Sequence, residues 1–295
     1  MEQLAEPGVT AAGPRLLLQL IVPAVVTLDL VPQPGLQVYP ARLHGAACAL
    51  IEPSWDGDHD AQRKPFSVGP LVGENGVARW RLGWLPDDVP DVEPSVVRFG
   101  ALACPVLRCD VRTVSFAELA SGPPAWSAEL DVLSLLYFAR NGRDHPLPDP
   151  VLIVQSALAR WNVFAPAELS VPSDVERELV STVWLAAFDG RTESAPVTAT
   201  MHQTGFVGSV RLALTRAAGP VTAGAFAALI RFAEIAGIGA QTTHGFGAIH
   251  LRRLNTAPPA RGRYRSTAEG SKAARSSQTR SRRSEAITRP SGGSP

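Results

Sequence analysis

Cysteine is scarce in this chain of 295 residues, and its placement is uninformative for metal or disulfide chemistry. Cys48, Cys104 and Cys109 form an odd set with no Cys-x-x-Cys pair, which argues against a disulfide framework and a zinc site and suits a reducing, cytoplasmic setting. A long uninterrupted hydrophobic run is also missing. The apolar stretch Leu16 to Val31 is broken by Gln19, Pro23 and Asp29, and no basic residue precedes Arg15, so it reads as neither a signal peptide nor a membrane span. Charge of one sign is not in excess: the formal net charge is +1. That balance hides a basic tail. From Ala257 onward nine basic residues face two acidic ones, a net of +7, which leaves 19 basic and 25 acidic residues, or −6, on the body. A uniformly basic coat for nucleic acid is excluded, and any polyanion site on the body must be a local patch. Lys64 is the only lysine before the tail. Gly-x-Ser-x-Gly, His-Glu-x-x-His and paired-carboxylate arrangements do not occur. Asp56, Asp58 and Asp60 mimic the start of a calcium loop, but Ala61 stands where such a loop needs glycine and Ser67 where it needs the bidentate glutamate.

Glycine, by contrast, is concentrated. Gly237-Ile-Gly-Ala-Gln-Thr-Thr-His-Gly-Phe-Gly247 packs four glycines into a turn between a helical pattern, Ala223 to Ala236, and a strand-like one, Ala248 to Leu251. Glycine tolerates φ > 0 and lacks Cβ, so such a loop can bring backbone N–H groups against a phosphate. A helix C-cap followed by a tight turn explains the same spacing. Walker loops and dinucleotide fingerprints run strand, glycines, helix. Here the loop leaves a helix C-terminus, whose partial negative charge repels phosphate, so a mononucleotide enzyme is disfavoured.

The order of patterns along the chain gives the fold class. Arg15–Val22 reads as a strand, Val38–Ile51 as a helix, Pro65–Val72 and Ala78–Leu85 as strands joined by Glu74-Asn-Gly76, Val92–Ala103 as a helix and Val106–Val114 as a strand. That is β-α-β-β-α-β, the ferredoxin-like plan. After the break Ser121-Gly-Pro-Pro124 the order recurs less cleanly: Leu130–Phe138 strand, Asp149–Trp161 helix, then Leu179–Phe188, Val197–Thr204 and Val207–Leu214 strands, the helix before the glycine loop, and Ala248–Leu251. The expectation is an α+β chain of two tandem ferredoxin-like (RRM-like) domains, 14–122 and 123–255. An N-terminal extension, 1–13, and a disordered basic tail, 256–295, flank them.

A glycine, five residues, then Gly-x-Gly, as in Gly239-Ala-Gln-Thr-Thr-His-Gly-Phe-Gly247, resembles the glycine-rich loop of the RAMP superfamily of CRISPR-associated proteins. Three further segments narrow the likeness: Lys64-Pro-Phe-Ser-Val-Gly-Pro-Leu71, Pro146-Leu-Pro-Asp-Pro-Val151 leading to Arg160-Trp-Asn162, and Gly205-Phe-Val-Gly-Ser-Val210. Together they are similar to the repeat-RNA-processing endoribonucleases of CRISPR systems, over roughly Arg15 to Leu254. The resemblance implies metal-independent cleavage of CRISPR repeat RNA by 2′-hydroxyl attack, leaving a 2′,3′-cyclic phosphate and a 5′-hydroxyl, with no cofactor. It implies repeat RNA as partner, with subunits of a CRISPR effector complex as further partners, and no membrane.

The family's active centre usually includes a histidine at the first helix, and His44 in Tyr39-Pro-Ala-Arg-Leu-His44 occupies that place. With Tyr39 and Lys64 it forms the expected catalytic set, and Arg42 can share the same opening turns. The bland alternative is a surface helix histidine beside a packing tyrosine. RNA contacts are expected from Arg42, Gly237, Gly239, Gln241, Thr242, Thr243, His244, Gly245 and Gly247. The loop departs from the family in lacking a lysine or arginine between its glycines, which weakens its electrostatic grip. His244 is a second candidate for catalysis, or a stacking or solvated residue; His59, His145, His202 and His250 receive no role. Two other readings remain: a non-catalytic RNA-binding subunit, which shares the fold without needing His44, and a regulatory ligand-binding pair of domains, which leaves the glycine loop unexplained.

Overall fold

The computed structural model describes residues 22–33, 38–51, 64–86 and 92–259. The aspartate-rich loop, His59, the expected N-terminal extension and nearly all of the basic tail lie outside the described residues.

The first sheet is built from β1 (Ala24–Leu30), the helix α1 (Pro40–Ile51), and the strands β2 (Phe66–Val68), β3 (Val72–Glu74), β4 (Val77–Trp84), β5 (Val96–Phe99) and β6 (Leu102–Thr113). Its order is β2-β4-β1-β6-β5, with β3 paired to β4. All of the strand pairings are antiparallel. Strict alternation buries Ala24, Val26, Leu28 and Leu30 of β1 on one face. They meet Leu43, Ala47 and Ile51 of α1, with Trp80, Trp84 and Phe99 filling the same core. The Asn-Gly turn forms as its sequence requires, with φ 50° at Asn75 and 76° at Gly76, the pair of left-handed residues of a type I′ hairpin.

The expected first strand, Arg15–Val22, lies outside the described residues except for Val22, and the first described strand is Ala24–Leu30. One expectation for this domain is corrected. The segment Val92–Ala103 is not a helix. Val97 and Phe99 are buried while Val96 and Arg98 are exposed, a two-residue period, and Gly100 at φ 67° turns the chain back into β6. β-Branched residues around a left-handed glycine favour a hairpin over a helix. The ferredoxin-like strand order is kept, with this extra edge strand where the second helix was expected.

The domains are joined by a segment containing the short helix α2 (Phe116–Ser121), held by a capping box between Ser115 and Glu118. There follow β7 (Ser127–Leu136), the small hairpin β8 (Phe138–Arg140) and β9 (Arg143–His145), and α3 (Pro150–Phe164). Asp149 caps α3 by accepting from Val151 N at 2.8 Å and Leu152 N at 3.0 Å. Then come α4 (Ser173–Thr182), the long strands β10 (Val183–Pro196) and β11 (His202–Leu214), α5 (Pro220–Ala236) and β12 (Ile249–Asn255). The sheet order β10-β11-β7-β12 repeats that of the first domain, and the chain is an α+β protein with a double ferredoxin-like fold. Among the described residues no helix is long and apolar enough to cross a membrane.

Three further boundaries differ from expectation. Leu179 ends up in α4, because Val175, Leu179 and Thr182 are buried at helical spacing. The strand therefore starts at Val183. Val197–Thr204 is mostly the connection of the β10–β11 hairpin, where Met201 N donates to Thr198 Oγ1 at 3.1 Å and Val197 N to Met201 O at 2.7 Å. β11 then runs unbroken in sequence from His202, through the bend at Gly208.

The two domains meet where the C-terminal end of α5 packs on β2 and β4. Ser67 Oγ donates to the Ile235 carbonyl, and a Cβ at Gly83 would overlap that same oxygen. This junction is where the glycine loop leaves α5.

Candidate active site

The glycine loop is a strap stretched across the domain junction and fastened at nearly every residue. Gly237 N–H closes α5 onto Ala233 O at 2.8 Å, Ile238 N donates to Gly247 O at 2.9 Å, and Gly239 N to Ser156 Oγ at 2.8 Å. Ala240 N donates to Tyr137 O at 2.9 Å and Gly247 N to Leu135 O at 3.0 Å. The amides of Gly237, Gly239 and Gly247 are thus spent inside the protein, which favours packing over phosphate cradling as their purpose. Their missing side chains serve the same end, since a Cβ at Gly239 would overlap Tyr137 O and one at Gly247 would overlap Ile238 O. At Gly245 it would lie 2.8 Å from Leu43 Cδ1 of α1.

What the strap presents outward is its middle. Gln241 is exposed at φ 51°, and the 3-10 turn Thr242–His244 that follows is closed by His244 N donating to Gln241 O at 2.9 Å. Thr242 is buried and its hydroxyl accepts from Arg160. Thr243 turns its carbonyl toward α1 and meets His44 Nδ1 at 3.0 Å.

A carbonyl oxygen can only accept, so this contact places a proton on His44 Nδ1 and leaves the Nε2 lone pair of the neutral ring available. Nε2 lies 3.6 Å from Sγ of Cys48, one turn along α1. A thiol is a weak donor, so water or a hydroxyl readily takes its place. The imidazole also stacks on His244, with ring centroids 4.1 Å apart and planes 6° from parallel, and has Phe66 at 5.9 Å. Burial, and secondarily the neighbouring His44, push His244 down to about 4, so its ring is neutral at ordinary pH. A cavity of about 240 Å³ opens beside the pair, lined by Pro40, Leu43, Pro70, Leu135, His244 and Phe246.

The remaining expected residues gather less tightly. Tyr39 immediately precedes α1, its carbonyl accepting from Arg42 N and Leu43 N. Its ring is covered by the Arg42 guanidinium at 5.6 Å. The Lys64 carbonyl accepts from Arg160 Nη2 at 3.3 Å, which fixes the backbone of Lys64 at the junction. No group of three or more His, Cys, Asp or Glu side chains converges among the described residues.

Arg160 had no role in the sequence reading, although Arg160-Trp-Asn162 stood among the family-like segments. From α3 it donates to Ala236 O at the last turn of α5, to Thr242 Oγ1, to Lys64 O, and to Phe66 O at 2.9 Å. It supplies positive charge where the α5 dipole is negative and ties the strap to β2. Cys48 was also missed; its position four residues after His44 on one helix was the available signal.

A double ferredoxin-like fold with a helix histidine under a glycine-rich strap at the domain junction is an arrangement with known counterparts. The sequence profile of the CRISPR-associated endoribonuclease Cas6 matches residues 130–249. The Cas6 protein TTHA0078 in its product complex is 27% identical, with a TM-score of 0.67 over 79% of this chain and 100% of that one. The Cas6 protein TTHB231 in its product complex is 27% identical, with a TM-score of 0.66 over 78% of this chain and 99% of that one. TTHB231 from Thermus thermophilus in another structure is 27% identical, with a TM-score of 0.61 over 78% and 98%. No curated protein matches in sequence. Over its second domain the chain carries the Cas6 sequence pattern, and over both domains its fold is similar to that of Cas6 endoribonucleases.

Proposed function

We propose that this protein cuts CRISPR repeat RNA without a metal ion, using His44 to move the proton. The observation that carries this reading is the Thr243 carbonyl on His44 Nδ1, because it holds the imidazole in the tautomer whose Nε2 is free to accept. In the proposed step, Nε2 takes the proton of a 2′-hydroxyl as that oxygen attacks the adjacent phosphorus. The bond from phosphorus to the 5′-oxygen breaks, giving a 2′,3′-cyclic phosphate and, once the leaving oxygen gains a proton, a 5′-hydroxyl. Tyr39 and Lys64 are assigned to leaving-group protonation and phosphorane charge. Arg42, Gln241 and Thr243 are assigned to the RNA path. The resemblance to proteins solved as a product complex and as a substrate mimic complex supports the same reading.

Incubating the protein with repeat RNA from its own genome in EDTA tests this. Cleavage with a cyclic phosphate end is expected. His44→Ala should slow single-turnover cleavage by about 10²–10⁴, the range of general acid–base catalysis, with little change in RNA affinity. Tyr39→Phe should lose less, since water can partly replace a hydroxyl. Tight binding without cleavage would favour the non-catalytic RNA-binding reading, to which the acidic body and the loop without a basic residue lend weight. Full-rate cleavage by folded His44→Ala would remove His44 from the mechanism.

A further inference from the structure

We propose that His244 is a positioning residue, a ring platform that holds the plane of His44 so that Nδ1–H stays on Thr243 O and Nε2 stays turned toward the substrate. The inference rests on the reading of His44 as the proton-transfer residue. A single hydrogen bond at Nδ1 fixes one in-plane direction of an imidazole but leaves the ring free to tilt about that bond. The face of His244, 4.1 Å away and within 6° of parallel, removes that tilt. Both restraints come from adjacent residues of one turn, so carbonyl and platform move together. Gln241 and Gly245 flank the turn in left-handed conformations, Arg160 holds Thr242, and His244 N closes it on Gln241 O at 2.9 Å, all of which hold without the His244 ring nitrogens.

The platform must also survive the chemistry. When His44 takes a proton it becomes a cation stacked face to face on another imidazole. Two charged rings at that spacing would repel, whereas a neutral aromatic face stabilises a cation. Burial keeps His244 in the neutral form at the pH where His44 works, so proton uptake is accepted by only one ring of the pair. The arrangement assigns His244 a part that is neither proton carrier nor phosphate contact, and it predicts that a ring matters there while its nitrogens matter little.

The test compares His244→Ala with His244→Phe in the full chain, with repeat RNA as substrate. His244→Ala should lower single-turnover cleavage by about 10²-fold, the cost of a misplaced catalytic group, with KM and RNA affinity nearly unchanged. His244→Phe should recover most of that loss and keep the midpoints of the wild-type pH–rate profile. Phenylalanine as damaging as alanine, or a profile that loses one limb, would make His244 a proton carrier and overturn the proposal. A loss that falls on affinity would make it an RNA contact, with the same consequence. A second measurement needs no cleavage: ¹⁵N shifts of the His44 ring in RNA-free protein. They should report a proton on Nδ1 in wild type and His244→Phe, and mixed tautomers in His244→Ala. Unchanged shifts in His244→Ala would also overturn the proposal. Absence of wild-type cleavage would sink the functional reading alone, leaving the shifts to decide this one.

Discussion

Arg160 of the second domain donates through Nη2 to the carbonyl of Phe66 in the first, at 2.9 Å, while its other nitrogen serves the end of α5 and the strap. One guanidinium therefore joins β2, α3, α5 and the glycine loop. Replacing it by methionine keeps the stem but leaves carbonyl acceptors without their charged donor. Such hydrogen bonds contribute about 1.5–3 kcal/mol each, less what water restores at a half-buried site, so Arg160→Met should cost about 2–4 kcal/mol. Arg160→Lys should recover a part, because an ammonium cannot reproduce the fork. Calorimetry reads this directly, and an unchanged Tm in Arg160→Met would show that the clamp is dispensable.

Glycines of the strap should behave as packing residues. Gly247→Ala places a Cβ on Ile238 O and demands φ 62° of alanine, whereas Gly142 in the β8–β9 turn has φ 71° with no atom near its missing Cβ. Gly142→Ala should then cost only backbone strain, roughly 1–2 kcal/mol. Gly247→Ala should cost clearly more, and Gly239→Val should unfold the loop rather than selectively weaken RNA binding. Urea denaturation of the variants separates the two costs; equal losses for Gly142→Ala and Gly247→Ala would refute the packing role.

Acid should loosen the site through His244. Its folded value is lowered to about 4 against an ordinary imidazole near 6.5, so the unfolded chain binds the proton more readily. The contribution of this group to stability is whole above about pH 6.5, falls as pH drops toward 4, and is flat below. His244→Phe should show a shallower loss of Tm over that window than wild type. Parallel Tm curves for the two proteins would place the acid sensitivity elsewhere.

The basic tail should add affinity without specificity. Its +7 charge releases counterions from any RNA, an effect that fades as salt rises. The structure says where to cut: Asn255 O still accepts from Trp126 N at 2.9 Å, so truncation belongs after Pro259. The truncated protein should bind RNA less tightly at low salt, with a shallower salt slope, and cleave at the same position. A shifted cleavage site would make the tail part of the recognition surface.

Local chemistry made much of this protein legible in its sequence. Asn75-Gly76 required its hairpin, Asp149-Pro150 the start of α3, and Gly237 the end of α5, because each acts through φ or a side-chain cap within a few residues. The placement of His44 on the first helix and the glycine pattern ahead of the last strand were legible through family resemblance. Val92–Ala103 was misread because a short apolar segment with mixed spacing fits either period, and only pairing of Val97 with Cys104 settles it as a strand. The site itself was decided by tertiary structure. His44 and Thr243 are 199 residues apart, and nothing in either segment specifies that a carbonyl will meet Nδ1. Nor does spacing reveal that His244 will lie flat on His44, or that Arg160 will reach four acceptors on three other elements. Those relationships depend on how α5 of the second domain docks on the first sheet through Ser67, Gly83 and Ile235. Docking is fixed by the sum of many packed side chains, and a one-dimensional pattern does not carry that sum.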